Sequence, residues 1–262
     1  MENRASINTK EWDYTKQAQF YHLRPNYDEQ AIDTLIEKIK KINPQAKICA
    51  DIGAGTGNLT VMLQARGLDV SAVEPNYEMR KRGIERTKTF DNVNWSVGTG
   101  ENTGLESNAF DIVTFGSSFN TTNREKTMLE TIRLLKDKGF FVCMWNNREL
   151  EKDPVQKKVE EIIKKYVPNY SHGTRREDQT EVIKKSNLFD EINYIEKAQL
   201  VKTELNKYIE AWRSVKNNFW DLLTNEGQEL FSKIEQDIRE EFKTKEYLEI
   251  TYTTKIWYCQ KK

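Results

Sequence analysis

From residue 47 to residue 146 the chain alternates between short apolar runs and stretches whose apolar residues recur three and four positions apart. The runs are KICADIG (47–53), DVSAVEP (69–75), VNWSVG (93–98), FDIVTFGSS (110–118) and GFFVCMWN (139–146). Most are almost continuously apolar, as strands covered on both faces tend to be. Helical spacing fills several of the intervals and predicts helices over 57–66, 76–88 and 123–136. Strands alternating with helices in this way predict an α/β fold: a parallel sheet with crossover helices on both faces.

The flanks read differently. Residues 9–42 form a polar and aromatic segment that leads into a helix, AIDTLIEKIKKI. After Asn146 a helix is predicted to start at Asp153-Pro154, where Asp suits the cap and Pro the first turn. Val155, Val159, Ile162, Ile163 and Tyr166 give it one apolar stripe. A loop, PNYSHGTRREDQ, follows, then a short helix near 179–187 and a sixth strand near 191–201. Two more helices, about 204–215 and 225–243, precede a last strand, EITYTTKIWYC. These late helices, with the one after Asn146, are expected to form a lid over the strand ends. The expected organisation is an entry segment and helix (1–46), a ligand-binding core (47–150), lid helices with the sixth strand (151–247) and a last strand (248–262), together one structural domain.

Composition narrows the function. The 262 residues carry 41 Lys and Arg against 41 Asp and Glu. A net charge of zero provides no global field for nucleic acid. Cys49, Cys143 and Cys259 each sit in an apolar run and form no ligand-spaced cluster, so buried free thiols in a reducing compartment are expected. The N-terminal segment has no apolar signal core, and no uncharged run approaches the roughly 18 residues needed to cross a bilayer. A soluble, cytoplasmic protein is the expectation, with its oligomeric state open.

The chemistry concentrates in DIGAGTG (51–57): one acid at the end of a strand, then three glycines where a helix opens. Such a turn lets backbone approach a ligand closely. It departs from the dinucleotide fingerprint, because the third glycine position is Asn58. A second acid, Glu74 in VEPN, ends the next strand roughly 20 residues on, where a carboxylate can accept hydrogen bonds from both ribose hydroxyls of a nucleoside.

DIGAGTG with VEPN resembles the first two motifs of the class I S-adenosylmethionine-dependent methyltransferases. FYHLRPNY (20–27), GTGENTGL (98–105), FDIVTFGSSFN (110–120), LLKDKGFF (134–141) and WNNRE (145–149) are similar, in order, to segments of the trans-aconitate-methyltransferase-like (methyltransferase domain 11) group. The resemblance covers roughly residues 14–150 well and the lid loosely. It implies a Rossmann-like, seven-stranded, mostly parallel sheet with an antiparallel last strand, helices on both faces and helical lid insertions. It implies S-adenosyl-L-methionine as cofactor and S-adenosyl-L-homocysteine as product. By the same resemblance Asp51, Gly53, Ala54, Gly55, Gly57 and Asn58 hold the methionine moiety, and Glu74 and Pro75 the ribose. Met79, Thr99, Gly100 and Glu101 border the adenine, while Tyr14, Tyr21 and Arg24 close over the cofactor beside Gly116 and Ser117. Thr99 stands where many relatives have Asp, so any acceptance of the adenine amino group there is uncharged. Arg24 is placed to pair with the cofactor's carboxylate.

The sulfonium is intrinsically electrophilic, so alignment and water exclusion matter more than a base. Many relatives carry His-Trp after the fourth strand. This chain has Asn120 and Thr121, and Asn cannot take a proton near neutral pH. Asn120 either orients a ligand or caps helix 123–136, a role Thr122 or Asn123 also fits. The catalytic candidates are Tyr21, His22 and Asn120; His172, the other histidine, lies in the lid loop. No metal is expected. Trp145, Asn146, Asn147, Arg148, Arg175, Arg176 and Trp212, with Asn120, are the substrate candidates; their aromatic and basic character suits an anionic small molecule. The expected activity is methyl transfer to a small molecule, with no nucleic-acid or membrane partner. Two alternatives stay open. One is a non-methyl use of the same cofactor, by aminocarboxypropyl transfer or by cyclisation that releases methylthioadenosine. The other is a catalytically silent S-adenosylmethionine-binding partner protein.

Overall fold

The structure, a computed structural model, describes residues 13–171, 176–217 and 219–262. Seven strands form one sheet: β1 (Ile48–Ile52), β2 (Asp69–Val73), β3 (Val93–Ser96), β4 (Phe110–Gly116), β5 (Leu135–Arg148), β6 (Asn193–Glu204) and β7 (Tyr247–Gln260). Their order across the sheet is β3-β2-β1-β4-β5-β7-β6. β1 to β5 run parallel, and β7 runs antiparallel between β5 and β6. The expected parallel sheet with an antiparallel last strand is what the chain forms.

Strand alternation divides the core into two layers, since successive side chains point to opposite faces. Phe140, Val142 and Met144 of β5 join one buried cluster, and Phe141, Cys143 and Trp145 join the other. α1 (Glu29–Ile42) and α2 (Asn58–Gln64) cover the first face through Ile32, Leu35, Ile39, Leu59 and Leu63. α1 starts where Asp28 accepts a hydrogen bond from Ala31 N at 2.7 Å. α4 (Arg124–Leu134) and α6 (Thr180–Ser186) cover the second face, where Phe115, Phe119, Phe141 and Phe189 meet ring to ring. The short helix α6 thus belongs to the sheet layer rather than to the lid. α3 (Tyr77–Thr87) packs over β3, with Trp95 Nε1 donating to Thr87 Oγ1 at 2.9 Å. The three cysteines are buried free thiols, and burial pushes Cys259 up to about 12.

The lid rests on a β-ribbon. β6 and β7 stay paired from Asn193↔Tyr258 to Glu204↔Tyr247, whereas the pairing of β5 with β7 ends at Arg148↔Tyr252. Residues 247–251 therefore run on past the parallel strands. α5 (Pro154–Tyr166), α7 (Leu205–Trp212) and α8 (Asn225–Glu241) pack on this extension and form a third buried cluster. Val159, Ile163, Ile209, Phe231, Ile234 and Ile238 meet Leu248 and Ile250 there.

Asp153 joins lid to sheet. Its carboxylate caps α5 by accepting from Gln156 N at 2.9 Å, and it also accepts from Thr251 N of the ribbon. Asp153 is buried, so removing it leaves two backbone N–H groups without that acceptor. Asp153→Ala is expected to cost about 2–4 kcal/mol in denaturant unfolding and to speed amide exchange along 154–166. Asp153→Asn, which keeps one acceptor oxygen, should lose less.

Candidate active site

The parallel strands end together beneath the lid, and between them lies a cavity of about 600 Å³, within the ~300–1,000 Å³ range of ligand pockets. Its floor is the glycine turn. Gly53 N and Ala54 N donate to Val73 O at 2.8 and 3.0 Å, and Gly55 N donates to Glu74 Oε2 at 2.8 Å. Gly53 has φ +67°, and a Cβ there would lie 2.5 Å from Ser118 Cβ, so only glycine lets the two loops meet. Ser118 Oγ fixes that approach by donating to Ile52 O at 2.6 Å.

Two acids stand in this floor. Asp51 is fully buried and accepts from Thr60 Oγ1 at 2.7 Å and Thr114 Oγ1 at 3.1 Å. Burial raises its pKa to about 6 despite those bonds. Glu74 accepts from Gly55 N through one oxygen and Asn76 N through the other, both at 2.8 Å. Burial raises it to about 7, against the pull of those two N–H groups and of Arg80. Each Glu74 oxygen keeps lone-pair capacity beyond one hydrogen bond. Met79 is buried in the wall beside them.

The N-terminal segment closes one side. Asp13 and Thr15 accept from Asn76 Nδ2 at 3.1 and 3.0 Å, which ties the segment to the β2–α3 corner. Tyr14 meets Tyr21 edge to face. Arg24 donates to Ser214 Oγ (2.8 Å), Ser214 O (2.6 Å) and the Tyr21 hydroxyl (3.0 Å), a latch between the segment and the lid. The Tyr27 hydroxyl pairs with Ser117 Oγ at 3.0 Å, where Ser117 takes the unusual φ of +59°. Loop 99–101 forms the opposite rim; Glu101 accepts from Asn123 N at 2.6 Å and Thr99 Oγ1 from Asn102 N at 3.2 Å.

The cavity wall brings together Tyr14, Tyr21, Arg24, Asp51, Gly53, Ala54, Gly55, Asn58, Glu74, Pro75, Met79, Thr99, Gly100, Glu101, Gly116 and Ser117. Asn120, Trp145, Asn147, Arg148 and Arg176 also face it. Gly57 does not: with φ +79° it turns the chain into α2, behind the wall and against Trp95. His22 is exposed and off the wall. In a 3-10 turn the residues three apart share a face, so Tyr21 and Arg24 line the cavity together while His22 turns outward. Trp212 is buried one layer back, under Arg148. Arg213 pairs instead with Glu235 at 2.6 Å. Arg175 and His172 lie outside the described residues. Asn123, not Asn120, caps α4, accepting from Lys126 N; Asn120 Oδ1 accepts from Trp145 Nε1 at 3.1 Å. Sequence reasoning did not single out Asn76, Ser214 and Tyr27 as site residues, although Asn76 and Tyr27 stand inside the segments VEPN and FYHLRPNY. Among the described residues no group of three or more His, Cys, Asp or Glu side chains is arranged to hold a metal ion, and no helix is long and apolar enough to cross a membrane.

Residues 50–143 match the family model of the methyltransferase domain. The match lies on the core and takes in the glycine turn and both acids. An uncharacterized methyltransferase of Mycobacterium bovis is 33% identical over 129 residues, 48% of each chain, so the chain spans about half the length of the curated relatives it matches. In fold, the core and its lid resemble a putative type II methyltransferase from Anaeromyxobacter dehalogenans, with TM-score 0.59, 15% identity and coverage of 91% of this chain and 97% of that one. They also resemble phosphoethanolamine N-methyltransferase 2 from Haemonchus contortus, solved with S-adenosyl-L-methionine: TM-score 0.52, 15% identity, 97% of this chain and 59% of that one.

Glu74 makes the stability of the core depend on pH. Its folded pKa, about 7, lies above the ordinary 4.5, so the folded chain keeps a proton that the unfolded chain has lost. The stabilisation from this group is complete below about 4.5 and is lost as pH rises through about 7, up to about 3 kcal/mol. Glu74→Gln, which stays neutral, is expected to flatten this part of the profile. Thermal unfolding of both proteins from pH 4.5 to 8 in the absence of ligand checks it: the stability of wild type relative to the variant should fall across that range.

Proposed function

We propose that the chain is a methyltransferase that uses S-adenosyl-L-methionine to methylate a small molecule held under the lid. The observation that carries the reading is the pairing of a buried Glu74 carboxylate with an open glycine turn on one cavity wall, inside a matched methyltransferase domain. The fit to the cofactor is direct. A ribose diol would supply Glu74 with the donors that its burial lacks. Met79 and Gly100 line the wall beside Glu74, where a flat base would lie. When bound, S-adenosyl-L-methionine supplies an electrophilic methyl carbon.

The chain's own residues then position and enclose. Glu74 and Asp51 anchor the polar parts of the cofactor, and Tyr14 covers it. Arg24, fastened to Tyr21 and Ser214, holds the N-terminal segment against the lid and keeps water from the reacting carbon. Asn120, oriented by Trp145, presents an amide that can hydrogen-bond the acceptor. These residues contribute alignment, and an acceptor atom that arrives with a free lone pair needs no base from them. A lidded cavity suits a small acceptor better than a polymer, and the neutral net charge agrees.

Purified protein incubated with S-adenosyl-L-methionine alone, then with fractionated small metabolites, is expected to form S-adenosyl-L-homocysteine only with metabolites present, as read by mass spectrometry. Methylthioadenosine from the cofactor alone would overturn methyl transfer in favour of attack at the aminocarboxypropyl side. Tight cofactor binding with no product from any pool would point to a silent binder. Glu74→Gln should weaken S-adenosyl-L-homocysteine binding by about tenfold, the loss of one charge-assisted hydrogen bond.

A further inference from the structure

At the lid end of the cavity, away from the glycine turn, two guanidinium groups converge. Arg148 ends β5, and its guanidinium carbon lies 3.7 Å from the centroid of the Trp212 ring. Arg176 reaches the same wall from the lid loop and donates to Arg148 O at 3.1 Å. No carboxylate among the described residues lies within ion-pair distance of Arg148, in a chain whose other buried or half-buried arginines mostly have one. The hydroxyls around Arg148 belong to Tyr170, Tyr208 and Tyr252, and all three residues line the cavity. The Tyr208 hydroxyl is buried, and its hydrogen-bonding neighbour is the Trp212 side chain under Arg148, although the two make no bond of good geometry.

A buried charge is tolerated when it is paired and hydrogen-bonded. Here the ring face of Trp212 and the phenolic oxygens keep Arg148 charged: burial opposes the charge, but Tyr252, Tyr208 and Tyr170 hold its pKa above the ordinary guanidinium value. Arg176 is lowered, first by burial and then by the positive charge of Arg148, while Glu160 and Glu149 act in the opposite direction. The two cations repel each other, and both line the cavity. One oxyanion would answer both groups: it neutralises charge and accepts from the planar guanidinium forks.

Resting on the methyltransferase reading, we infer that the acceptor carries a carboxylate or phosphate group and that Arg148 and Arg176 seat it at the lid end of the cavity. The stacked Trp212 fixes the plane of the Arg148 fork, so the anion is held in one orientation. The anchored group is not the one that reacts; it sets the rest of the acceptor toward the floor. A neutral or cationic acceptor would leave Arg148, which pairs with no carboxylate among the described residues, without a counter-charge.

Titration calorimetry on protein saturated with S-adenosyl-L-homocysteine tests this with three probes of one shape: benzoate, phenyl phosphate and neutral benzamide. The expected result is saturable binding of at least one anion, weakened by salt, and none of benzamide. Binding of benzoate alone identifies a carboxylate, and binding of phenyl phosphate alone a phosphate. Arg148→Met should weaken anion binding by about tenfold to a hundredfold and change S-adenosyl-L-homocysteine affinity by less than about twofold. Arg176→Gln, on a loop, should move anion binding the same way and keeps the test open if Arg148→Met does not fold. Benzamide binding as well as the anions, failure of both anions to bind, or unchanged anion binding in the variants would overturn the proposal. Failure of wild type to bind S-adenosyl-L-homocysteine would instead overturn the methyltransferase reading; titrating the anions into protein without that ligand then tests the subsite by itself.

Discussion

The glycine turn after β1 is held in shape by the strand beside it, and the site depends on that attachment. Three consecutive N–H groups, of Gly53, Ala54 and Gly55, donate to the end of β2: two to Val73 O and one to the Glu74 carboxylate. The turn therefore cannot move without the second strand. The second Glu74 oxygen accepts from Asn76 N, and the Asn76 side chain caps α3 and donates to Asp13 and Thr15. One carboxylate thus links turn, strand, helix start and entry segment. It is buried and bears only part of the hydrogen bonding it can accept, which raises its pKa and leaves it suited to further donors.

Much of the core was legible because its physics is local. Strands covered on both faces read as apolar runs, and the register of β4 against β5 follows from which residues face each layer. The Asp153-Pro154 start of α5 was legible for the same reason, since capping needs only residues within one turn. The limits of local reading show at Asn120 and Asn123. Both fit the capping position by residue type, and the choice between them rests on Trp145, which draws the Asn120 oxygen toward β5. Arg24 shows the limit more sharply. Its partner Ser214 lies 190 residues away, and no pattern along the chain predicts that a lid residue would share a guanidinium expected to meet a ligand.

The lid helices were legible one at a time from their apolar stripes, but not as an assembly. What gathers them is the length of the β6–β7 ribbon, which outruns β5 and offers Leu248 and Ile250 as a footing beyond the sheet. Strand ends were the least certain part of the sequence reading, and here a few residues at one strand end decide whether three helices have a surface to pack on. The same extension puts Tyr252 opposite Arg148, so the device that builds the lid also builds the basic end of the cavity.

The cavity that results has opposite electrostatic ends. Asp51 and Glu74 stand in the floor, Arg148 and Arg176 at the lid. In a partly desolvated space such an arrangement acts on orientation more than on affinity, because fields are screened less there than in water. A ligand with hydroxyl donors at one end and an oxyanion at the other is favoured in one direction and opposed in the reverse. On the proposed reading, cofactor and acceptor each carry part of that pattern, the ribose at the floor and the anion at the lid, and alignment of nucleophile and methyl carbon follows from the groups fixed at the two walls.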